Sequence, residues 1–121
     1  ELHAICVHLG LRARDRHDEI ARLCALIDEG IAPEAPLIVA GDFNDWRRDA
    51  HQRLSRCSKL REVFVETHGA MAKTYPARWP LLALDRVYVR HLRARHVEVL
   101  AERPWSHLSD HAGLYAELMP C

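Results

Sequence analysis

No CxxC pair occurs in this chain: its four cysteines, Cys6, Cys24, Cys57 and Cys121, are scattered along 121 residues. Cys6 falls in a strand-like pattern and Cys24 on the apolar face of a helical one, so both read as buried free thiols. A disulfide framework is not expected with this much apolar core material, and free thiols favour a cytoplasmic setting. An excess of either charge sign is also missing, since Lys+Arg and Asp+Glu stand at 17 each. That removes the strongly basic field that would argue for nucleic-acid binding, though Arg47, Arg48, Arg53 and Arg56 could still form a local patch. The histidines have no zinc-type spacing; His3 and His8 are five apart on a strand and so on opposite faces. There is no apolar run of membrane-spanning length, no internal repeat and no low-complexity segment. No signal peptide is present, and the opening "ELHAICVHLGL" starts inside a strand without an initiator Met, so the natural amino terminus is expected to lie outside this sequence.

The chain does have the make-up of an ordinary globular domain, 49% hydrophobic and 28% charged, which fits one domain, or part of one, over residues 1–121. Leu2–Leu9 alternates as a strand. After the basic "RARDRH", Asp15 can cap a helix carrying Ile20, Leu23, Cys24 and Ile27 at helical spacing, closed by Gly30. Leu37–Ala40 is an unbroken apolar run, the pattern of a strand buried on both faces. Strand, helix, strand makes a βαβ unit with parallel strands. A shorter helix is expected over Asp49–Cys57, while "LREVFVETHG" fits helix and strand equally. "YPARWPLL" is a loop, and Leu84–Val89, Ala94–Leu100 and Gly113–Leu118 alternate like strands.

Polar residues gather where these strands begin and end. His8 closes the first strand, Asp42 and Asn44 follow the second, Asp85 opens "DRVYV", and Asp110 and His111 precede the last. If the later two strands run antiparallel to the first two, all six residues converge on one rim of the sheet, as in a constructed site. Carboxylates at the mouth of a buried strand are costly unless paired or holding a metal.

"HLG" and "GDFN" after strands, then "LDRVYV" and "SDH", in this order, resemble the endonuclease/exonuclease/phosphatase superfamily. Its members include pancreatic-type deoxyribonuclease, abasic-site endonuclease, inositol polyphosphate phosphatases and bacterial sphingomyelinases. "TYPARWPLLALDRVYV" is similar to a bacterial branch of uncharacterised hydrolases within it. The resemblance runs over essentially the whole chain. It implies an α/β fold, a mixed β-sheet with helices on one face, forming the C-terminal half of a four-layer α/β-sandwich of roughly twice this length. The family's first half supplies an Asn and a metal-binding Glu; Glu1 and Glu19, near the first strand here, lack that Glu's strand-end context. This stretch alone is therefore expected to bind metal weakly and to be inactive, the full-length parent being the enzyme.

The resemblance also implies roles. Asp42 would orient or deprotonate a water, Asn44 would hold that water or a phosphate oxygen, and Asp110 would bind Mg²⁺ or Mn²⁺. His111 would contact phosphoryl oxygens with its ring oriented by Asp85, and His8 would be a second phosphate or leaving-group contact. The implied activity is hydrolysis of a phosphodiester or phosphomonoester in nucleic acid, phosphoinositide or phospholipid head group. Zero net charge and the apolar "ARWPLL" loop weigh against a non-specific nuclease. Plainer readings stand beside these: Asp42 and Asn44 as turn residues, Asp85–His111 as a structural pair, His8 as a half-exposed strand residue. Asp45 reads as a helix cap or turn acid. Trp46, Trp79 and Trp105 each flank a motif and could line a substrate pocket or simply pin loops to the core. The alternative function is a catalytically incomplete half-domain serving binding or assembly. In either case the sheet face away from the helix should be covered, by the N-terminal half or by a second copy in a two-fold pair.

Overall fold

The computed structural model describes residues 1–121. β1 (His3–His8) leads into helix α1 (Ala13–Gly30), which returns the chain to β2 (Leu37–Asp42) parallel to β1. The buried stripe of α1 is Ile20, Leu23 and Ile27, a one-face helical spacing that packs on Leu37 and Val39 of the sheet. Helix α2 (Asp49–Cys57) adds Ala50 and Leu54 to the same layer. The ambiguous "LREVFVETHG" divides: β3 is Arg61–Glu62 and α3 is Val63–His68. Glu62 decides the switch, because its buried carboxylate accepts the first free helical N–H groups, from Phe64 and Val65, at 2.9 Å each. β4 (Asp85–Arg90) runs antiparallel to β2 and to β3, giving a mixed sheet in the order β1-β2-β4-β3.

At His91 the chain turns out of this sheet, and β5 (Leu92–Leu100) and β6 (Gly113–Pro120) pair only with each other. A second apolar cluster joins them to α3 and β4 through Val63, Phe64, Val89, Leu92 and Val97. The architecture is thus the expected mixed α/β one, with α1 and α2 on one face. The last strand, however, belongs to a separate two-stranded sheet rather than to the rim shared by the others. On the face away from α1, Ile38 is only half-buried, and Ala4, Cys6 and His8 of β1 are exposed. No helix is long and apolar enough to cross a membrane.

Two local expectations are corrected. Helix α1 begins at Ala13 after Arg12, so Asp15 is not the cap; it lies in the first turn, where a carboxylate still meets the positive end of the helix. Cys24 is not a free thiol. It is bonded to Cys57 across α1 and α2, their Cα atoms 6.0 Å apart, while Cys6 and Cys121 are free and exposed. Separation in sequence hid a proximity that only the packing of the two helices side by side creates, with His17 near Arg53 one or two turns before Cys24 meets Cys57, and Cys6 faces away from that packing. The cysteines therefore give no argument for a reducing compartment.

Candidate active site

Gly41 sets the site's geometry. Its φ is 141°, and a Cβ there would lie 2.0 Å from the Val7 carbonyl oxygen, so only glycine lets β2 run this close to β1 as it opens into the loop. The register then puts His8 opposite Asp42 across the parallel pair and Asp42 opposite Asp85 across the antiparallel one. Beyond Asp42, Asn44 takes a left-handed turn (φ 48°), which asparagine tolerates better than most residues. Its backbone N–H donates to Asp42 Oδ1 at 2.9 Å, and its side-chain Nδ2 donates to the Leu9 carbonyl at 2.6 Å in a buried bond. Asn44 thereby ties the end of β1 to the loop after β2. The N-cap position of α2 is Arg48, not Asp45, but Asp45, next along, still accepts the Ala50 N–H of the first helical turn at 2.7 Å. It does more: its Oδ2 lies 3.2 Å from Arg86 Nη1, an ion pair with both side chains 1% exposed. That pair pins the loop to the residue beside Asp85.

His111 arrives from the other sheet. The loop before β6 is laced to the one before β4 by Ala77 N–H to Asp110 O at 2.8 Å and Ala112 N–H to Thr74 O at 2.7 Å. The imidazole Nδ1 lies 2.6 Å from Asp85 Oδ2, and the Thr74 hydroxyl donates to the same oxygen at 2.6 Å. A carboxylate only accepts, so Nδ1 carries the proton and Nε2 faces the cleft side. There Nε2 is 3.8 Å from Asp42 Oδ2, which is itself 3.6 Å from His8 Nε2. One carboxylate oxygen thus stands between two imidazoles. Partial burial pulls the His111 pKa down, but the Asp85 hydrogen bond and the charges of Asp85, Asp42 and Asp110 together outweigh it and leave the pKa raised.

The cleft over these groups has a volume of about 920 Å³, and His8, Asp42, Asn44, Asp85, Asp110 and His111 all line it. The six residues converge as the motif order implied, though at the junction of two sheets rather than on one rim. Trp46 also lines it, 67% exposed. Trp79 and Trp105 do not: Trp79 sits in a turn above the Tyr75–Leu82 bridge and Trp105 opens a short 3₁₀ turn (Trp105–His107). Both are exposed, so neither pins its loop to the core. Sequence reasoning passed over Thr74 and Tyr75, the latter lining the cleft with its ring 5.0 Å from that of His111. Their signal lay inside "TYPARWPLLALDRVYV", where the prolines drew attention to the loop and away from its first two residues.

A divalent cation fits this donor set. Asp42, Asp85 and His111 bring one donor atom each within 4.8 Å of one another. Asp110 stands outside that trio, exposed at the cleft, and its carboxylate enters no hydrogen bond or ion pair. Carboxylate oxygens, with the Asp110 carboxylate uncommitted, are hard donors of the kind hard cations prefer.

The family model described as "Endonuclease/Exonuclease/phosphatase family" matches residues 2–111, nearly the whole chain. The chain belongs to this family. Among its relatives is the uncharacterized protein YbhP of Escherichia coli strain K12, 45% identical over 117 residues, which cover 97% of this chain and 46% of YbhP. Solved structures of the same architecture include a humanized D. rerio TDP2 (TM-score 0.78, 18% identity, 98% of this chain and 55% of that one). A mannosyl-6-phosphatase of Bacteroides thetaiotaomicron superposes with a TM-score of 0.76 at 17% identity, over 96% of this chain and 50% of that one. At these identities the structures establish the shared fold. The chain spans about half the length of the curated relatives it matches.

Proposed function

We propose that the intact protein hydrolyses phosphoesters in this cleft with the help of a divalent cation. The observation that carries the reading is the convergence of Asp42, Asp85 and His111 from three strand ends on one point of the cleft. Asp42 Oδ2, flanked by two imidazoles, is suited to accept a proton from an attacking water. His111, its ring held by Asp85 and Thr74, presents Nε2 to a phosphoryl oxygen and is cationic over a wider pH range than a free histidine. His8, on the opposite lip, is placed for a second phosphate or leaving-group contact. Asn44 acts as a positioning residue, since its amide holds Leu9.

Asp110, with the Asp42 and Asp85 carboxylates nearby, would hold Mg²⁺ or Mn²⁺, which neutralises phosphoryl charge when bound. Trp46 offers an apolar wall for the part of the substrate beyond the phosphate. Diester and monoester substrates are both compatible with the open cleft, as are nucleic-acid, phosphoinositide and phospholipid head groups. A chromogenic phosphodiester and a chromogenic phosphomonoester, each assayed with Mg²⁺ and Mn²⁺, test the reading. Cation-dependent turnover of at least one is expected; turnover of neither by the intact protein would reject it.

A further inference from the structure

Six residues of extended strand separate the catalytic cleft from the far end of β4, about 17 Å away. A second cavity of about 510 Å³ opens there, and its side chains are one-sided in charge: Lys59, Arg61, Arg90 and His91 line it with Asp28 as the one acidic side chain, and Cys121 borders it. Two of these side chains are already engaged. Arg61 pairs with Glu66 at 2.7 Å, and His91 Nε2 meets the Pro33 carbonyl at 2.8 Å.

Arg90 is the anomaly. It is only 9% exposed, its Nη2 donates to the Ala32 carbonyl at 3.0 Å, and its Nε is buried without a partner. No carboxylate lies within 4.0 Å of it, Asp28 included. The chain's other buried guanidinium, Arg86, also leaves its Nε unpartnered but has the Asp45 carboxylate beside it. A buried guanidinium with no counter-charge is costly, and an anion in the adjoining cavity would remove that cost. Lys59 stands on the same wall, exposed and without a hydrogen bond or ion pair, its backbone in the left-handed region (φ 52°).

We propose that this cavity is a second, non-catalytic binding site for a phosphate group, either free or carried on a small molecule. Two uncompensated cations match the roughly −1.5 to −2 charge of a phosphate near neutral pH better than the single charge of a carboxylate. Guanidinium and ammonium groups are also the usual partners of phosphate oxygens.

Titration of the isotopically labelled intact protein with inorganic phosphate, followed by amide chemical shifts, tests this. A parallel titration with sodium chloride at matched ionic strength removes screening effects. Phosphate should move the amides of Lys59–Arg61 and Arg90–Leu92 in a saturable way that chloride does not reproduce. A small organic phosphomonoester titrated alongside separates the sources: tighter binding than inorganic phosphate at these amides assigns the site to a carried phosphate, equal or weaker binding to the free ion. Arg90→Met should weaken phosphate at least about tenfold, the scale of losing a charged hydrogen-bond donor. Lys59→Asn, which keeps a residue tolerant of the left-handed backbone, should weaken it about threefold and decides the matter if Arg90→Met does not fold. Shifts confined to the catalytic cleft, shifts equalled by chloride, or undiminished binding in Lys59→Asn would overturn the assignment.

Discussion

Asp45→Asn is the substitution whose consequence can be worked furthest from the structure. Asp45 and Arg86 are each 1% exposed, so solvent does little to screen their interaction. The asparagine oxygen can still accept from the Ala50 N–H and from Arg86, as Oδ2 now does at 2.7 and 3.2 Å. The new amide nitrogen falls where Oδ1 has no partner. Shape and hydrogen bonds survive; the counter-charge to a buried guanidinium does not. Removing one member of a buried pair costs about 3–5 kcal/mol; the retained hydrogen bonds lower the cost and the unpartnered buried amide N–H groups raise it, so at least about 3 kcal/mol is expected. With a urea slope of about 1–3 kcal/mol/M, the unfolding midpoint should drop by about 1–3 M. The exposed pair Arg61–Glu66, 2.7 Å apart and 44% and 39% exposed, supplies an internal control, since Glu66→Gln should change stability by less than about 1 kcal/mol. Urea unfolding of both variants, monitored by tryptophan fluorescence and circular dichroism, is the assay. A midpoint shift for Asp45→Asn no larger than that of Glu66→Gln would refute the claim that this pair anchors the loop that follows Asp42 and carries Asn44.

Other consequences can be checked alongside. His111 should titrate by NMR with a midpoint above 6.5, and Asp85→Asn should lower that midpoint. Because its folded-state pKa is raised, the stability contributed by the imidazolium is complete below about 6.5 and fades as pH rises through the higher folded value. Turnover that uses the charged ring should fall over the same upper range. Gly41→Ala forces a Cβ to within 2.0 Å of the Val7 oxygen and should destabilise the chain by more than about 1 kcal/mol in denaturant titrations, whereas a neutral result would mean β1 and β2 can part freely. This 121-residue chain expressed alone should sediment as a two-fold pair, because the second apolar cluster covers the β4 end of the sheet face away from α1 but leaves its β1 end, Ala4 and Cys6, exposed. A clean monomer at high concentration would contradict that.

Much of the fold was legible because periodicity reports one-dimensional burial. The Ile20, Leu23, Ile27 stripe and the apolar Leu37–Ala40 run marked α1 and β2, and α2 has the expected bounds Asp49–Cys57. Two-residue β3 was not legible, since its switch into α3 depends on the side chain of Glu62 reaching two backbone N–H groups. The Cys24–Cys57 bond and the Asp45–Arg86 pair were equally hidden: residues 33 and 41 apart meet only through packing. Among site residues, the motifs brought His8, Asp42, Asn44, Asp85, Asp110 and His111 together, because strand ends and parallel or antiparallel sense fix which residues share an edge. The tryptophans failed as guides since flanking a motif in sequence places a loop residue only loosely, and two of the three lie off the cleft.

The most direct test of the proposed chemistry is steady-state turnover of a chromogenic phosphoester by the intact protein, measured before and after exhaustive chelation and in His111→Ala. Activity should vanish with chelation, return with Mg²⁺ or Mn²⁺, and fall at least about a hundredfold in the folded variant, the scale of losing an acid–base or oxyanion contact. Undiminished turnover after chelation, or near-wild-type turnover in folded His111→Ala, would contradict the account.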